Sequence, residues 1–300
     1  MNSVTVRVPA KVNVQLSVGP LRDDGYHDLV NVFHAVSIFD EVVAQEAEDV
    51  SVQVLGESAD QVPVDDGNLA VQAARALAKH AGRAQGVHLV IRKAIPVAGG
   101  MAGGSADAAG ALVACNELWG LGLPAGDLMK IAGALGSDVP FALLGGTAIG
   151  TGRGEQLTEV ATGARFHWVF AIADAGLSTA KVYAECDRLR EALGEQVAWP
   201  QVNDALMEAL RNGDARALGA ELINDLQPAA LMLRRQLART LESGREHGAL
   251  GALVSGSGPT CAFLAADEAH ARDLAVALTG AGVCRSALTA HGSVPGATII

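Results

Sequence analysis

The sequence contains few cysteines, and their arrangement excludes the usual cysteine-based sites. The four cysteines, at positions 115, 186, 261 and 284, form no Cys-x-x-Cys pair and have no histidine at metal-ligand spacing. Cys115 and Cys261 lie in apolar stretches, which favours buried side chains over reactive thiols. We therefore predict neither a zinc site nor a disulfide framework.

Positive charge and long apolar runs are also scarce. The 22 Lys and Arg residues against 33 Asp and Glu give a formal charge of −11, which repels polyanions, so we expect no nucleic-acid partner. The longest uncharged stretch, residues 248–266, contains glycine, serine and proline, so we expect no membrane span. The start of the chain is strand-like and lacks signal-peptide features, which predicts a cytoplasmic protein. Nothing in the sequence predicts its oligomeric state.

The length of 300 residues and the hydrophobic content of 50% indicate a globular chain of about two domains, and the order of predicted helices and strands indicates the α+β class. Apolar residues occupy the even positions from Val4 to Val18, which predicts strands with one buried face and places Lys11 and Asn13 together on the other face. After about residue 158 the predicted order is βαββαβ with inserted helices, which is typical of a ferredoxin-like domain. This part includes a predicted helix at 228–247, and we expect a frayed tail after His291.

A glycine-rich loop carries the most informative functional signal. The segment PVAGGMAGGSADAAGAL, residues 96–112, joins a predicted strand to a helix that we expect to begin near Ala106, with Ser105 as its N-cap. Its glycines let backbone amides approach a ligand, and the helix N-terminus favours an anion, so the loop suits phosphate. A turn that only packs the helix on the strand is the alternative. Neither a Walker A loop nor a GxGxxG motif is present.

Asp138 and Lys11 are the two charged residues that stand out. Asp138 precedes a stretch of fourteen uncharged residues and is either a helix N-cap or a base. Lys11, one of five lysines, has apolar neighbours and is either a site residue or a strand-surface charge. A phosphate loop, a lysine and a lone carboxylate together suit phosphoryl transfer to an alcohol. In this hypothesis Asp138 accepts the hydroxyl proton, while Lys11 keeps Asp138 ionised and neutralises charge on the phosphoryl group.

Two other classes of protein are alternatives to a kinase. Residues 103–107 approach the GxSxG elbow of serine hydrolases, but Asp107 stands where the elbow needs glycine. No histidine follows in an obvious acid–histidine order. A nucleotide-binding regulator would share the loop but lack a positioned base.

Several motifs resemble the superfamily of galactokinase, homoserine kinase, mevalonate kinase and phosphomevalonate kinase, the GHMP kinases. Three of them are VPAKVNVQL at residues 8–16, the glycine loop, and VSGSGPTCAF at residues 254–263. Two more, DGYHDL at 24–29 and GSDVPF at 136–141, resemble one branch, which acts on a cytidine-diphosphate-linked methylerythritol. The resemblance runs from about Val4 to Arg285.

This resemblance implies a two-domain GHMP kinase fold. The implied domains are an N-terminal, ribosomal-protein-like βαβ domain at residues 1–158, which binds ATP, and a C-terminal ferredoxin-like domain at residues 159–300. The implied activity is ATP-dependent, magnesium-assisted phosphorylation of the substrate's 2-hydroxyl, in the non-mevalonate (MEP) route to isoprenoids. A kinase of homoserine or of a mevalonate relative is the alternative.

The motif match also implies roles for individual residues. It makes Lys11 and Asp138 the catalytic pair, places Lys93 and Asn68 near the adenine, and makes Ser105 a candidate magnesium ligand. The residues implied to bind the ATP phosphates are Pro96, Val97, Ala98, Gly99, Gly100, Met101, Ala102, Gly103, Gly104, Ser105 and Ala106. Those implied on the substrate side are Asn13, Tyr26, His27, Thr179 and Tyr183, whose aromatic members could stack on cytosine.

Two features of these motifs leave alternatives open. Ala102 departs from the family's usual Gly or Ser, so either that position needs no positive φ or the loop is arranged differently. The turn at residues 256–258 is either a plain hairpin turn or a part of the substrate site.

Overall fold

The computed structural model describes residues 2–82 and 85–300, whose strands form an eight-stranded and a four-stranded sheet. The strands are β1 (Ser3–Leu21), β2 (His27–Ala47), β3 (Val50–Gly56), β4 (Gly86–Lys93), β5 (Thr147–Thr151), β6 (Gln156–Glu159), β7 (Phe166–Ile172), β8 (Ile223–Asn224), β9 (Gly251–Val254), β10 (Cys261–Ala265), β11 (Ser286–Gly292) and β12 (Thr298–Ile299). The helices are α1 (Leu69–His80), α2 (Gly103–Leu118), α3 (Ala125–Leu135), α4 (Val139–Leu144), α5 (Thr179–Leu193), α6 (Asp204–Asn212), α7 (Ala215–Ala220), α8 (Gln227–Leu233), α9 (Gln236–Glu246) and α10 (Glu268–Gly280).

The first sheet is built on the long antiparallel pair β1 and β2. As the alternation predicts, the even positions of β1 from Val6 to Val18 are buried in the cores. Strands β3 and β4 are parallel and connected through α1, which forms the implied βαβ unit.

Helix α2 packs across β1 and β2 in the first domain. Its buried residues are mostly alanines, and a Cβ atom at Gly110 would lie 2.6 Å from Val42 Cγ2. Small side chains therefore let the helix approach the sheet closely. This packing fixes the position of the glycine loop, which leads directly into α2.

The second sheet has the antiparallel order β11-β7-β10-β9, which is the predicted ferredoxin-like arrangement. Trp168 and Phe170 of β7 join the core of the first domain. Val169 and Ala171, on the opposite face, belong to a second core with residues of α9 and α10. The two domains are thus packed directly on each other.

Two sequence predictions about the second half are wrong. The predicted helix at 228–247 is two helices, because the chain leaves helical geometry at Arg234, with φ −142° and ψ 82°. The tail is not frayed, since Ile299 and Thr298 of β12 pair with Val6 and Arg7 of β1. Strand β8 also pairs with β1, so the part of the chain after β7 contributes the two strands β8 and β12 to the first sheet. The proposed domain boundary at 158/159 falls within β6.

Candidate active site

A cleft of about 1110 Å³ is lined by both domains and holds most of the predicted site residues. Those that line it are Lys11, Asn13, Tyr26, His27, Pro96, Ala98, Gly99, Gly100, Ala102, Gly103, Gly104, Ser105, Asp138, Thr179 and Tyr183. Met101 and Ala106 are instead fully buried in the core, and Val97 lines a separate cavity of about 20 Å³. The structure therefore brings together residues that the sequence places far apart.

The glycine loop between β4 and α2 is tightly turned. At Gly100, φ is 76°, and an added Cβ atom would lie 2.0 Å from Ser255 O, so only glycine fits there. Ala102 has φ 63°, which is uncommon for alanine. The suggestion that Ala102 needs no positive φ is therefore wrong.

The start of α2 also differs from its prediction. The helix begins at Gly103, so Ser105 lies in its first turn and is not the N-cap. Ala102 holds the cap position and offers no side-chain capping bond. The residues from Ala102 to Ser105 line the cleft, where the helix N-terminus is favourable for a bound anion.

Lys11 connects the glycine loop with Asp138. Its ammonium donates hydrogen bonds to Asn13 Oδ1 at 2.6 Å and to Gly100 O at 2.9 Å, and lies 3.7 Å from Asp138 Oδ2. Burial lowers the pKa of Lys11 from its ordinary value, while the Asp138 carboxylate opposes that change. Lys11 and Asn13 thus share a face of β1, as the period of two predicts. Sequence reasoning missed Asn31, which accepts a hydrogen bond from Asn13 Nδ2 at 2.7 Å.

Asp138 stands at the N-cap position of α4, but its side chain makes no capping hydrogen bond. The side chain is 31% exposed and lines the cleft opposite Lys11. Capping therefore does not occupy this carboxylate, which faces the cleft beside Lys11.

An aromatic cluster lines another part of the cleft. His27 is buried, with Nε2 2.9 Å from Asp187 Oδ1, and its ring centroid lies 5.3 Å from that of Tyr183. Burial raises the pKa of the Tyr183 phenol, with a smaller contribution from Asp138. Tyr26 is exposed, and the guanidinium carbon of Arg153 lies 5.2 Å from its ring centroid.

The turn at residues 256–258 fits both of its sequence interpretations. It joins β9 to β10 and lines the cleft. Thr179 Oγ1 lies 2.9 Å from Ser257 Oγ, so this turn contacts the first residue of α5. Ser255, just before it, donates a hydrogen bond to Gly100 O at 3.2 Å.

Sequence reasoning missed two further residues that line the cleft, namely Asp187 and Arg153. Asp187 lies one helical turn after Tyr183, so their spacing on α5 was a usable signal. Arg153 is the first charged residue after the long uncharged stretch, which makes it noticeable in the sequence. The sequence does not show where its side chain points.

Lys93 does not line the cleft, because its ammonium is buried in an ion-pair cluster. It lies 2.5 Å from Asp40 Oδ2 and 2.7 Å from Asp107 Oδ2. Asp40 Oδ1 also accepts hydrogen bonds from the backbone amides of Ala94 and Ile95, at 2.6 and 2.9 Å. The cluster thus anchors the beginning of the glycine loop to β2 and α2.

Asn68 also lies outside the residues that line the cleft. It is the N-cap of α1, where Asn68 Oδ1 accepts a hydrogen bond from Ala70 N at 2.9 Å. Its amide nitrogen donates to Pro63 O at 2.7 Å. The contact of Asn68 and Lys93 with adenine stays a prediction, and their observed contacts are all within the protein.

Metal clusters and membrane-spanning helices are both absent from the part of the chain that the structure describes. That part contains no cluster of three or more His, Cys, Asp or Glu side chains placed to hold a metal ion. No helix within it has the length and apolar character needed to cross a membrane.

Comparisons with known proteins match both domains. The family described as GHMP kinases N terminal domain matches residues 68–146, and GHMP kinases C terminal matches residues 206–284. A 4-diphosphocytidyl-2-C-methyl-D-erythritol kinase of Thermobifida fusca is 60% identical, covering 99% of this chain and 98% of the relative. One of Mycolicibacterium smegmatis is 56% identical, covering 99% of this chain and 92% of the relative.

Solved structures give the same result at the level of the fold. A crystal structure of 4-(cytidine 5'-diphospho)-2C-methyl-D-erythritol kinase has a TM-score of 0.77 at 32% identity, covering 95% of this chain and 98% of that one. The homoserine kinase of Cytophaga hutchinsonii has a TM-score of 0.76 at 19% identity, covering 100% of this chain and 98% of that one. The second likeness concerns the fold alone.

Proposed function

This chain belongs to the GHMP kinases, and we propose that it phosphorylates the 2-hydroxyl of 4-diphosphocytidyl-2-C-methyl-D-erythritol with ATP. The products are the 2-phosphate and ADP, in the MEP route to isoprenoids. The observation that carries this proposal is the meeting of Lys11, Asp138 and the glycine loop in one cleft with an aromatic cluster. Sequence identities of 60% and 56% to kinases of that name, each over 99% of this chain, support the choice of substrate.

The glycine loop and the start of α2 are proposed to hold the ATP phosphates. No basic residue lies between Ala94 and Ser105, so binding there depends on backbone amides and on the helix N-terminus. The buried Asp40 carboxylate holds the amides of Ala94 and Ile95 at the beginning of the loop. The beginning of the loop is therefore held in place before a nucleotide binds.

Asp138 and Lys11 are proposed to act on the acceptor and on the transferred group. The 2-hydroxyl oxygen attacks the γ-phosphorus, the bond from that phosphorus to the β–γ bridging oxygen breaks, and ADP leaves with that bond's electron pair. Asp138 orients the hydroxyl and accepts its proton. The Lys11 ammonium, held between Gly100 O and Asp138, offsets the negative charge of the phosphoryl group.

The aromatic cluster is proposed to bind the cytidine end of the substrate. Tyr26 and Tyr183 offer flat faces for cytosine, and His27 offers a ring nitrogen that Asp187 does not occupy. Thr179 lies at the same end of the cleft, beside Ser257. Asn13 is proposed to act mainly by orienting Lys11, since its amide already contacts Lys11 and Asn31.

Magnesium is proposed to accompany ATP. Ser105 fits as a protein ligand, because it lines the cleft in the first turn of α2, close to where the phosphates would lie. Magnesium commonly keeps several waters and takes few protein ligands when it binds with a nucleotide. Bound there, the ion would neutralise phosphate charge.

An acceptor screen tests this function. Purified protein is mixed with ATP and, separately, 4-diphosphocytidyl-2-C-methyl-D-erythritol, homoserine or mevalonate, and ADP release is followed together with the mass of the product. We expect ADP and a monophosphorylated product only with the cytidyl substrate. ADP formation with homoserine or mevalonate would reassign the substrate, and nucleotide binding with no ADP from any acceptor would indicate a non-catalytic protein.

A further inference from the structure

The turn between β5 and β6 presents Arg153 to the cleft. Gly152 O accepts a hydrogen bond from Leu29 N at 2.8 Å, which ties this turn to β2 just after Tyr26. The backbone amide of Arg153 donates to Glu155 Oε2 at 2.8 Å. The guanidinium lies over the Tyr26 ring, a contact that holds the cation beside the proposed cytosine site.

Of the lysine and arginine side chains that line the cleft in the described ranges, Arg153 is the one without a carboxylate partner in the protein. Lys11, the other Lys or Arg that lines the cleft in the described ranges, is held by Asn13, Gly100 and Asp138. Within the same ranges, no carboxylate forms an ion pair with the Arg153 guanidinium. A half-buried guanidinium with free donors is suited to a phosphate group, which it can contact through two parallel hydrogen bonds.

The chemistry of the proposed substrate supplies an anion for this position. Its diphosphate joins the cytidine to the methylerythritol. The cytidine is proposed to lie between Tyr26 and Tyr183, and the hydroxyl of the methylerythritol is proposed to contact Asp138. We propose that Arg153 binds this diphosphate, an inference that rests on the proposed function. The ATP phosphates are proposed to lie along a different wall of the cleft, formed by the glycine loop.

The rival explanation is that Arg153 only supports the Tyr26 ring. Cytidine 5'-diphosphate and cytidine separate the two, because both contain the base and only the first contains the diphosphate. Their affinities for the full-length protein are measured without turnover, by ligand-observed NMR, on the wild type and on Arg153→Gln, Arg153→Lys and Arg22→Gln. Arg22 is the matched control, an arginine already paired with Asp24 and Asp28.

We expect Arg153→Gln to weaken binding of cytidine 5'-diphosphate about tenfold or more and to leave cytidine within about twofold. Arg153→Lys should give an intermediate loss for the diphosphate, and Arg22→Gln no loss. Equal weakening of both ligands, or no weakening of either, would overturn the role of Arg153. A wild type that binds neither ligand would instead contradict the proposed cytidyl substrate.

Steady-state kinetics give a second readout. Arg153→Gln should raise the KM of the cytidyl substrate about tenfold or more while the KM of ATP and kcat change little. A fall in kcat with an unchanged KM would contradict binding of the diphosphate by Arg153. Thermal unfolding of each variant checks that the fold is retained.

Discussion

The Lys11 ammonium lies 3.7 Å from Asp138 Oδ2 and donates a hydrogen bond of 2.9 Å to Gly100 O. One buried cation thus connects the carboxylate proposed as the base with the loop proposed to hold the triphosphate. In the GHMP kinase fold these groups come from β1, from the start of α4 and from the segment before α2. Their relative placement is the geometric basis of the proposed phosphoryl transfer.

Lys11→Met removes the cation while keeping an unbranched apolar stem. Because the charge on the moving phosphoryl group then lacks its counter-charge, we expect kcat to fall about 100-fold or more. Lys79→Met, at an exposed position on α1, is the matched control and should leave kcat unchanged. A near-normal rate for Lys11→Met would make Lys11 an ordinary structural charge.

Asp138→Asn keeps the shape of the side chain and removes its ability to accept a proton. We expect kcat to fall by about two orders of magnitude or more, with the Kd of ATP unchanged, because the glycine loop is untouched. The melting temperature is measured alongside, because the substitution also removes the carboxylate charge that lies 3.7 Å from the buried Lys11 ammonium. Unchanged turnover would remove Asp138 from the mechanism.

Tyr183→Ala removes a ring that lines the cleft beside His27. Loss of stacking on cytosine, worth about 1–3 kcal/mol, should raise the KM of the cytidyl substrate about five- to 150-fold, with little effect on the KM of ATP. Tyr183→Phe keeps the ring and should retain most of the affinity. Equal increases in both KM values would move Tyr183 out of the cytidine site.

Asp107 should make the stability of the protein depend on pH. Burial raises the pKa of Asp107 to about 7, against the opposing charge of Lys93. At pH values below the ordinary pKa of an aspartate, the Asp107 carboxyl is protonated in both the folded and the unfolded chain. Between that pKa and about pH 7, it is protonated mainly in the folded chain. Its contribution to the free energy of unfolding therefore decreases as pH rises to about 7, and is constant above that.

Asp107→Asn isolates this contribution. Urea unfolding of wild type and variant between pH 4 and pH 9 gives the difference in free energy of unfolding at each pH. We expect the variant to gain stability relative to wild type as pH rises towards 7. A difference that is independent of pH would show that Asp107 titrates alike in both states.

Local patterns predicted the parts of the site that depend on local geometry. The period of two on β1 placed Lys11 and Asn13 on one face, and glycine spacing located the loop that lines the cleft. Gly103, Gly104 and Ser105 are weak helix formers, so propensity placed the start of α2 too late. The helix nevertheless includes them, because its packing on β1 and β2 outweighs propensity.

Local sequence patterns could not predict side-chain contacts between residues that are far apart in the sequence. Asp40 is distant in sequence from Lys93, and only the pairing of β2 with β4 brings these residues into one buried cluster. No periodicity connects α4 with β1, so the proximity of Asp138 to Lys11 was expected from the chemistry of phosphoryl transfer and from the family resemblance. The orientation of the Arg153 side chain depends on the β5–β6 turn. A tertiary hydrogen bond from Leu29 N to Gly152 O holds this turn against β2.

A crystal structure with a non-hydrolysable ATP analogue and the cytidyl substrate tests the central claim most directly. We expect the phosphates to accept hydrogen bonds from backbone amides between Pro96 and Ala106, and the 2-hydroxyl oxygen to lie within hydrogen-bond distance of an Asp138 carboxylate oxygen. Phosphates bound away from those amides, or an Asp138 turned to solvent and distant from the γ-phosphorus, would contradict the account.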